Sequence, residues 1–194
     1  MSEAKMNNTG IWTFRILVLA GTGLLLASWF LPWWTVNIEA LGKDIVQIRP
    51  WGLAMDERLG GFEVLLKGAD MPVWFAPFMW AYLGLSVIAL LASLWVRGVE
   101  VNIGKFKVEL CQLLVGGVGV SYLVVGIVTA VYGSIRSQAM MGIPLLGRHF
   151  IDMGDPLVTY VEGRFLPGYY LIFVAAIMLI ALALLRNRIC SVET

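Results

Sequence analysis

The sequence predicts an all-α membrane protein, a bundle of four transmembrane helices carrying a small extracytoplasmic β hairpin or sheet. Three observations predict it. Apolar residues make up 59% of the 194 and charged residues only 14%, where a soluble domain holds about half and about a quarter. Four windows, residues 16–38, 71–96, 110–135 and 165–185, contain no Asp, Glu, Lys or Arg. Aromatic side chains gather at the ends of those windows.

Each window reaches the ~20 residues a helix needs to cross about 30 Å of hydrocarbon. Lipid offers no water to backbone N–H and C=O groups, so such a segment must bond within itself, as a helix. Spans are expected at about 12–36, 72–96, 109–134 and 166–186, within a single tetraspan domain, 1–194. Outer loops fall at 37–71 and 135–165. Trp29, Phe30, Trp33 and Trp34 mark the end of the first span, and Trp74, Phe75, Phe78, Trp80 and Tyr82 the start of the second. Tyr169, Tyr170 and Phe173 open the fourth, just after Pro167 in the expected first turn. Trp and Tyr favour this depth because the ring is apolar while its polar tip reaches water. The first apolar run is longer than the about 7–15 residues of a signal peptide, and no small-x-small site follows Trp34, so the segment is expected to be retained.

Orientation follows from charge density. Lys5, Arg15, Arg97, Lys105, Lys107, Arg186 and Arg188 lie on the side of the termini; Lys43, Arg49, Arg58, Lys67, Arg136, Arg148 and Arg164 lie on the other. The first set is packed into a shorter stretch near the span ends, which favours cytoplasmic termini. A plasma-membrane, multi-pass location is the expectation.

Outside the spans the pattern changes period. Trp34, Val36, Ile38 and Ala40 alternate with Thr35, Asn37 and Glu39, Leu41-Gly42-Lys43-Asp44 supplies turn residues, and Ile45–Ile48 is a second β-rich run. This predicts a hairpin rising directly from the first helix. Pro50 ends it, Trp51-Gly52-Leu53 returns an apolar wedge to the membrane surface, and Phe62–Leu66 reads as a third strand or a short interfacial helix. A second small hairpin is expected around Gly104-Lys105. Residues 137–165, punctuated by Gly142, Pro144, Gly147, Gly154, Pro156 and Gly163, read as irregular.

Chemistry is sparse. The charge-free windows hold no ionisable residue of the kind that marks a proton or ion path. Ser28, Ser86, Ser93, Gln112, Ser121 and Thr129 fit helix–helix hydrogen bonds or back-bonded hydroxyls. His149 is the one histidine, so bis-histidine haem ligation is excluded; with Asp152 and Asp155 it offers at most a thin metal set beside the plainer reading of a solvated loop. Cys111 and Cys190 form no C-x-x-C pair. Gly116-Gly117-Val118-Gly119 falls inside a span, where it cannot cradle a phosphate in water. No catalytic, cofactor or metal site is expected, and with a net charge of +1 neither is nucleic-acid binding. The glycines suit close helix approach instead: Gly117 with Ser121, Gly126 with Ala130 and Ser134, and Gly23 with Ala27 repeat at four residues, for packing within the bundle or between subunits.

Pro32-Trp33-Trp34 at the exit of the first span and Trp51-Gly52-Leu53 after the hairpin resemble the layout of claudin-like tetraspan membrane proteins. In that family the second motif runs Gly-Leu-Trp, inverted relative to this chain, and a cysteine pair follows that is missing here. The resemblance implies a non-enzymatic protein that works by lateral association. The expected function is therefore structural assembly or interaction, with Trp33, Trp34, Trp51, Leu53, Gly117, Ser121, Gly126 and Ala130 as interaction residues. The expected partners are the lipid bilayer and either copies of itself or other membrane subunits. Alternatives are an accessory subunit of a larger respiratory or oxidase-type membrane complex and, more distantly, a passive channel.

Overall fold

Four helices carry the chain through the structure, a computed structural model that describes residues 8–57, 71–96, 98–103, 106–142, 144–152 and 158–190. They are α1 (Asn8–Phe30), α2 (Phe75–Ser93), α3 (Leu110–Met141) and α4 (Pro167–Cys190). All four are long and apolar enough to cross a membrane. They are also apolar on their outward sides: Ile16, Leu85, Ile88, Ile127, Ile177 and Leu184 are exposed. In water so many exposed aliphatic side chains would be a liability; against lipid tails they are solvated.

The helix boundaries correct the expected spans. The first span was expected to reach residue 36, but α1 stops at Phe30, because Pro32 cannot donate a backbone hydrogen bond and β1 (Trp34–Ile38) begins two residues later. The third was expected to end near 134, but α3 runs through Arg136 to Met141. It ends at Gly142, whose φ of 67° and bond from its N–H to the Gln138 carbonyl at 3.0 Å form a left-handed cap. Pro167 is the first residue of α4, where its missing N–H costs nothing. The charges that delimit the windows are thus not the helix ends: Arg15, Arg136 and Arg186 all lie inside helices.

The chain divides into two compact units. One is drawn from Met1–Leu26, Tyr82–Val124 and Ile172–Thr194, the other from Ala27–Ala81 and Val125–Leu171. The first holds the two-stranded ladder β4 (Glu100–Ile103) and β5 (Phe106–Glu109), whose register pairs Val101 with Val108; its expected turn at Gly104-Lys105 lies outside the described residues. Its helices meet at small residues. A Cβ on Gly10 would run into the Ile189 carbonyl; on Gly21 it would lie 2.8 Å from Leu179 Cδ2; on Gly119, 2.9 Å from the Ala176 carbonyl. Val18, Leu90, Val115, Ile172, Ala176 and Leu179 are fully buried.

The second unit carries a five-stranded antiparallel sheet. It is built from β1, β2 (Gly42–Arg49), β3 (Gly52–Met55), β6 (Gly147–Asp152) and β7 (Val158–Phe165), in the order β3-β2-β1-β7-β6. The predicted hairpin is β1–β2. A bulge between Val36 and Ile38 and the left-handed Asp44 (φ 56°) sharpen its turn. The irregular reading of 137–165 is overturned: β6 and β7 form a second hairpin, and β7 pairs with β1 from Trp34↔Phe165 to Ile38↔Val161. Within the expected apolar wedge Trp51-Gly52-Leu53, Gly52 and Leu53 open a third strand, β3. Phe62–Leu66 lies outside the described residues.

Candidate interaction surfaces

In the sheet-bearing unit, the tryptophans named from the sequence are tied into the fold. Trp33 and Trp34 are almost wholly buried, 2% and 7% exposed. The Trp33 indole N–H donates to the Ser28 carbonyl at 2.9 Å, and its ring meets Tyr169 edge-on at 6.1 Å. The Trp34 indole donates to the Leu145 carbonyl at 3.1 Å. Its ring joins Val36, Ile38, Ile45, Val46, Leu145 and Val161 in the core of the sheet, with Leu53 packed at the margin. Neither indole presents a surface to a partner; each fixes a strand to what lies beneath it.

Trp51 belongs to a different group. Its ring stands 6.1 Å from that of Trp29, 5.2 Å from Trp80 and 6.0 Å from Phe30, so the start of β3 is clamped onto the end of α1 and the start of α2. The Arg49 guanidinium lies over the Trp51 ring, 5.7 Å from its centre. Trp29 is buried and its Nε1 finds no partner among the described residues, whereas Phe30, Trp74, Phe78 and Trp80 are exposed. This is a belt of rings with a fixed inner layer and an open outer one.

The helical small residues divide in the same way. Gly126 is buried and its carbonyl accepts the Tyr169 hydroxyl at 3.0 Å, a direct α3–α4 link in the sheet-bearing unit. Ala130 is half-buried. In the other unit, Ser121 shares a 2.8 Å hydrogen bond with the Tyr82 hydroxyl. Gly117 is exposed, and nothing lies within 4 Å of where its Cβ would be; Gly23 is equally open. The contacts between helices are made instead by Gly116 and Gly119, neighbours of the expected position. Gly117 therefore faces outward, on a face of α3 that continues through the exposed Val120, Val124, Ile127, Val128 and Val131.

The remaining candidates are quiet. His149 Nε2 lies 2.9 Å from the Leu146 carbonyl. The Asp152 side chain and Asp155 are outside the description, and among the described residues no three metal-ligating side chains converge. Cys111 and Cys190 are buried and form no disulfide. Sequence reasoning passed over Arg186, buried to 7% exposure and ion-paired with Glu109, and Arg15, whose Nη2 donates to the Leu94 carbonyl at 3.0 Å. The available signal was thin, since each stands immediately beside a charge-free window.

No family model matches the chain, and no curated protein matches it. The fold and composition define the class: a chain with four helices long and apolar enough to cross a membrane and a small antiparallel sheet.

Proposed function

We propose that the chain is a non-enzymatic membrane protein that works by lateral assembly, with copies of itself or with other membrane subunits, its termini in the cytoplasm and its five-stranded sheet outside. The observation that carries this reading is the outward face of α3. Gly117 forms a notch with nothing within 4 Å, and Val120, Val124, Ile127, Val128 and Val131 follow it at helical spacing, all half or more exposed. A smooth β-branched face with a glycine notch lets another helix approach closely and gain dispersion contacts that lipid chains, being mobile, match poorly. The claudin-like arrangement of Trp33, Trp34 and Trp51 supports the same reading. In this view the tryptophans set the sheet, and the helix face makes the contact.

The test is native mass spectrometry on protein extracted gently from its own membrane. A ladder of this chain supports self-assembly. Co-migration with larger subunits reassigns it as an accessory subunit of their complex. A monomer under every mild condition, unchanged by Gly117→Leu, overturns the assembly reading.

A further inference from the structure

In the unit that holds the termini, a pocket opens where four helix ends come together. Its walls are Ile11, Phe14 and Arg15 of α1, Leu94 just past α2, and Arg186 and Cys190 of α4. The pocket has room for a water-sized group, about 20 Å³, and opens to the outside. Such a space admits a water or a single oxygen of a larger group.

The charges on these walls are unequal. Arg186 is ion-paired with Glu109 and lies 5.8 Å over the Phe14 ring, so its charge is balanced. Arg15 has five N–H donors; one bonds the Leu94 carbonyl at 3.0 Å, and the guanidinium stands 5.3 Å from the Trp12 ring. Among the described residues no carboxylate pairs with it. The wall thus carries, among the described residues, one unbalanced cation in a largely apolar setting, at the level of helix ends, which is the level of lipid headgroups. Directly beside it, Trp12, Ile16 and Leu19 form an exposed apolar stripe along α1.

We propose that this pocket binds the phosphate of an anionic membrane lipid. Arg15 is the principal donor, one phosphate oxygen enters the pocket, and the acyl chains lie along Trp12, Ile16 and Leu19. A planar guanidinium matches phosphate oxygens in a bidentate way that a point charge does not. The stripe beside it separates a lipid from free phosphate, because only a lipid gains from the apolar contact. The inference does not depend on the assembly reading and stands or falls separately.

The experiment uses the full chain in detergent, titrated with dioleoyl phosphatidylglycerol, dioleoyl phosphatidylcholine or inorganic phosphate and followed by native mass spectrometry. One phosphatidylglycerol is expected to remain bound where phosphatidylcholine is lost, and Arg15→Gln is expected to weaken that adduct about tenfold or more while Arg15→Lys retains part of it. Equal retention of both lipids, or an unchanged adduct in Arg15→Gln, overturns the proposal. Should Arg15→Gln fail to fold, the wild type decides. Cys111 and Cys190, the chain's two cysteines, line the same pocket, so phosphatidylglycerol should slow their reaction with maleimide and phosphatidylcholine should not. Equal rates with the two lipids overturn it, and equal protection by inorganic phosphate overturns the lipid assignment in favour of the free anion.

Discussion

The indole N–H of Trp34 donates to the backbone carbonyl of Leu145 at 3.1 Å, tying the first strand of the sheet to the segment that enters β6 from α3. The same carbonyl forms the floor beneath Gly163, where a Cβ would collide with it and lie 3.2 Å from Trp34 Cζ2. Three segments far apart in sequence thus share one oxygen.

Two substitutions test this junction. Trp34→Phe keeps the ring but leaves the carbonyl unpaired, which should cost about 1–3 kcal/mol. Gly163→Ala forces a methyl into backbone and should cost about 1–3 kcal/mol or more. Both are read as a lowered midpoint in denaturant titrations of the detergent-solubilised protein. Because the two changes share a partner, the double variant should fall short of the sum.

Glycines on the helices should separate into two classes. Gly10→Ala and Gly119→Ala place a methyl against the Ile189 and Ala176 carbonyls, and each should destabilise by about 1–3 kcal/mol. Gly117→Ala and Gly23→Ala meet open space, so helix propensity alone acts and stability should hold or rise by up to about 1 kcal/mol. A thermal-shift series across the four variants checks this, and a uniform loss would contradict the packing described above.

Two arginine–carboxylate pairs among the described residues should behave oppositely. Arg148–Glu39 joins side chains 59% and 61% exposed at 2.7 Å, so Glu39→Gln should change stability by less than about 1 kcal/mol and less still in high salt. Arg186–Glu109 has its cation buried, and Glu109→Gln strands that charge, at a cost of about 3–5 kcal/mol that added salt barely alters. Melting curves at low and high ionic strength separate the two cases.

The ring clamp makes a spectroscopic prediction. Trp51→Ala removes a ring packed against both Trp29 and Trp80, so the emission of the remaining tryptophans should shift to the red as Trp29 gains access to water. Because Trp51 is only half-buried, the truncation should cost less than the about 3–5 kcal/mol of a fully buried aromatic. Unchanged emission would mean that the clamp does not close over Trp29 in the membrane.

Legibility in the sequence followed the range of the contacts. The four helices were visible because a charge-free window and internal backbone bonding are both local facts. The β1–β2 hairpin was visible for the same reason: Trp34, Val36 and Ile38 alternate, and all three are buried as expected. The β6–β7 hairpin was hidden by Gly142, Pro144, Gly147, Gly154 and Pro156, although Val161, Gly163 and Phe165 alternate with Tyr160, Glu162 and Arg164. Gly163 looks like a breaker and is instead a strand residue that must be small, because Leu145 and Trp34 occupy the space a side chain would take. The N–H partners of Trp33 and Trp34, the Ser28 and Leu145 carbonyls, were not legible, because an interfacial tryptophan and a core tryptophan look alike in sequence. Gly117 was one register step from the glycines that pack, a distinction that depends on helix rotation and not on spacing.

The order of the strands sets a timetable for biosynthesis. β1 lies at the centre of the sheet, with β2 on one side and β7 on the other. Its first neighbour emerges from the ribosome almost at once, but its second is Val158–Phe165, made only after α2 and α3. Until then the nascent chain carries a half-built sheet whose open edge is the one that will later be most deeply enclosed. A cell that makes this protein must shield that edge while two further helices are inserted, and truncation before β7 should yield a product prone to aggregate through it.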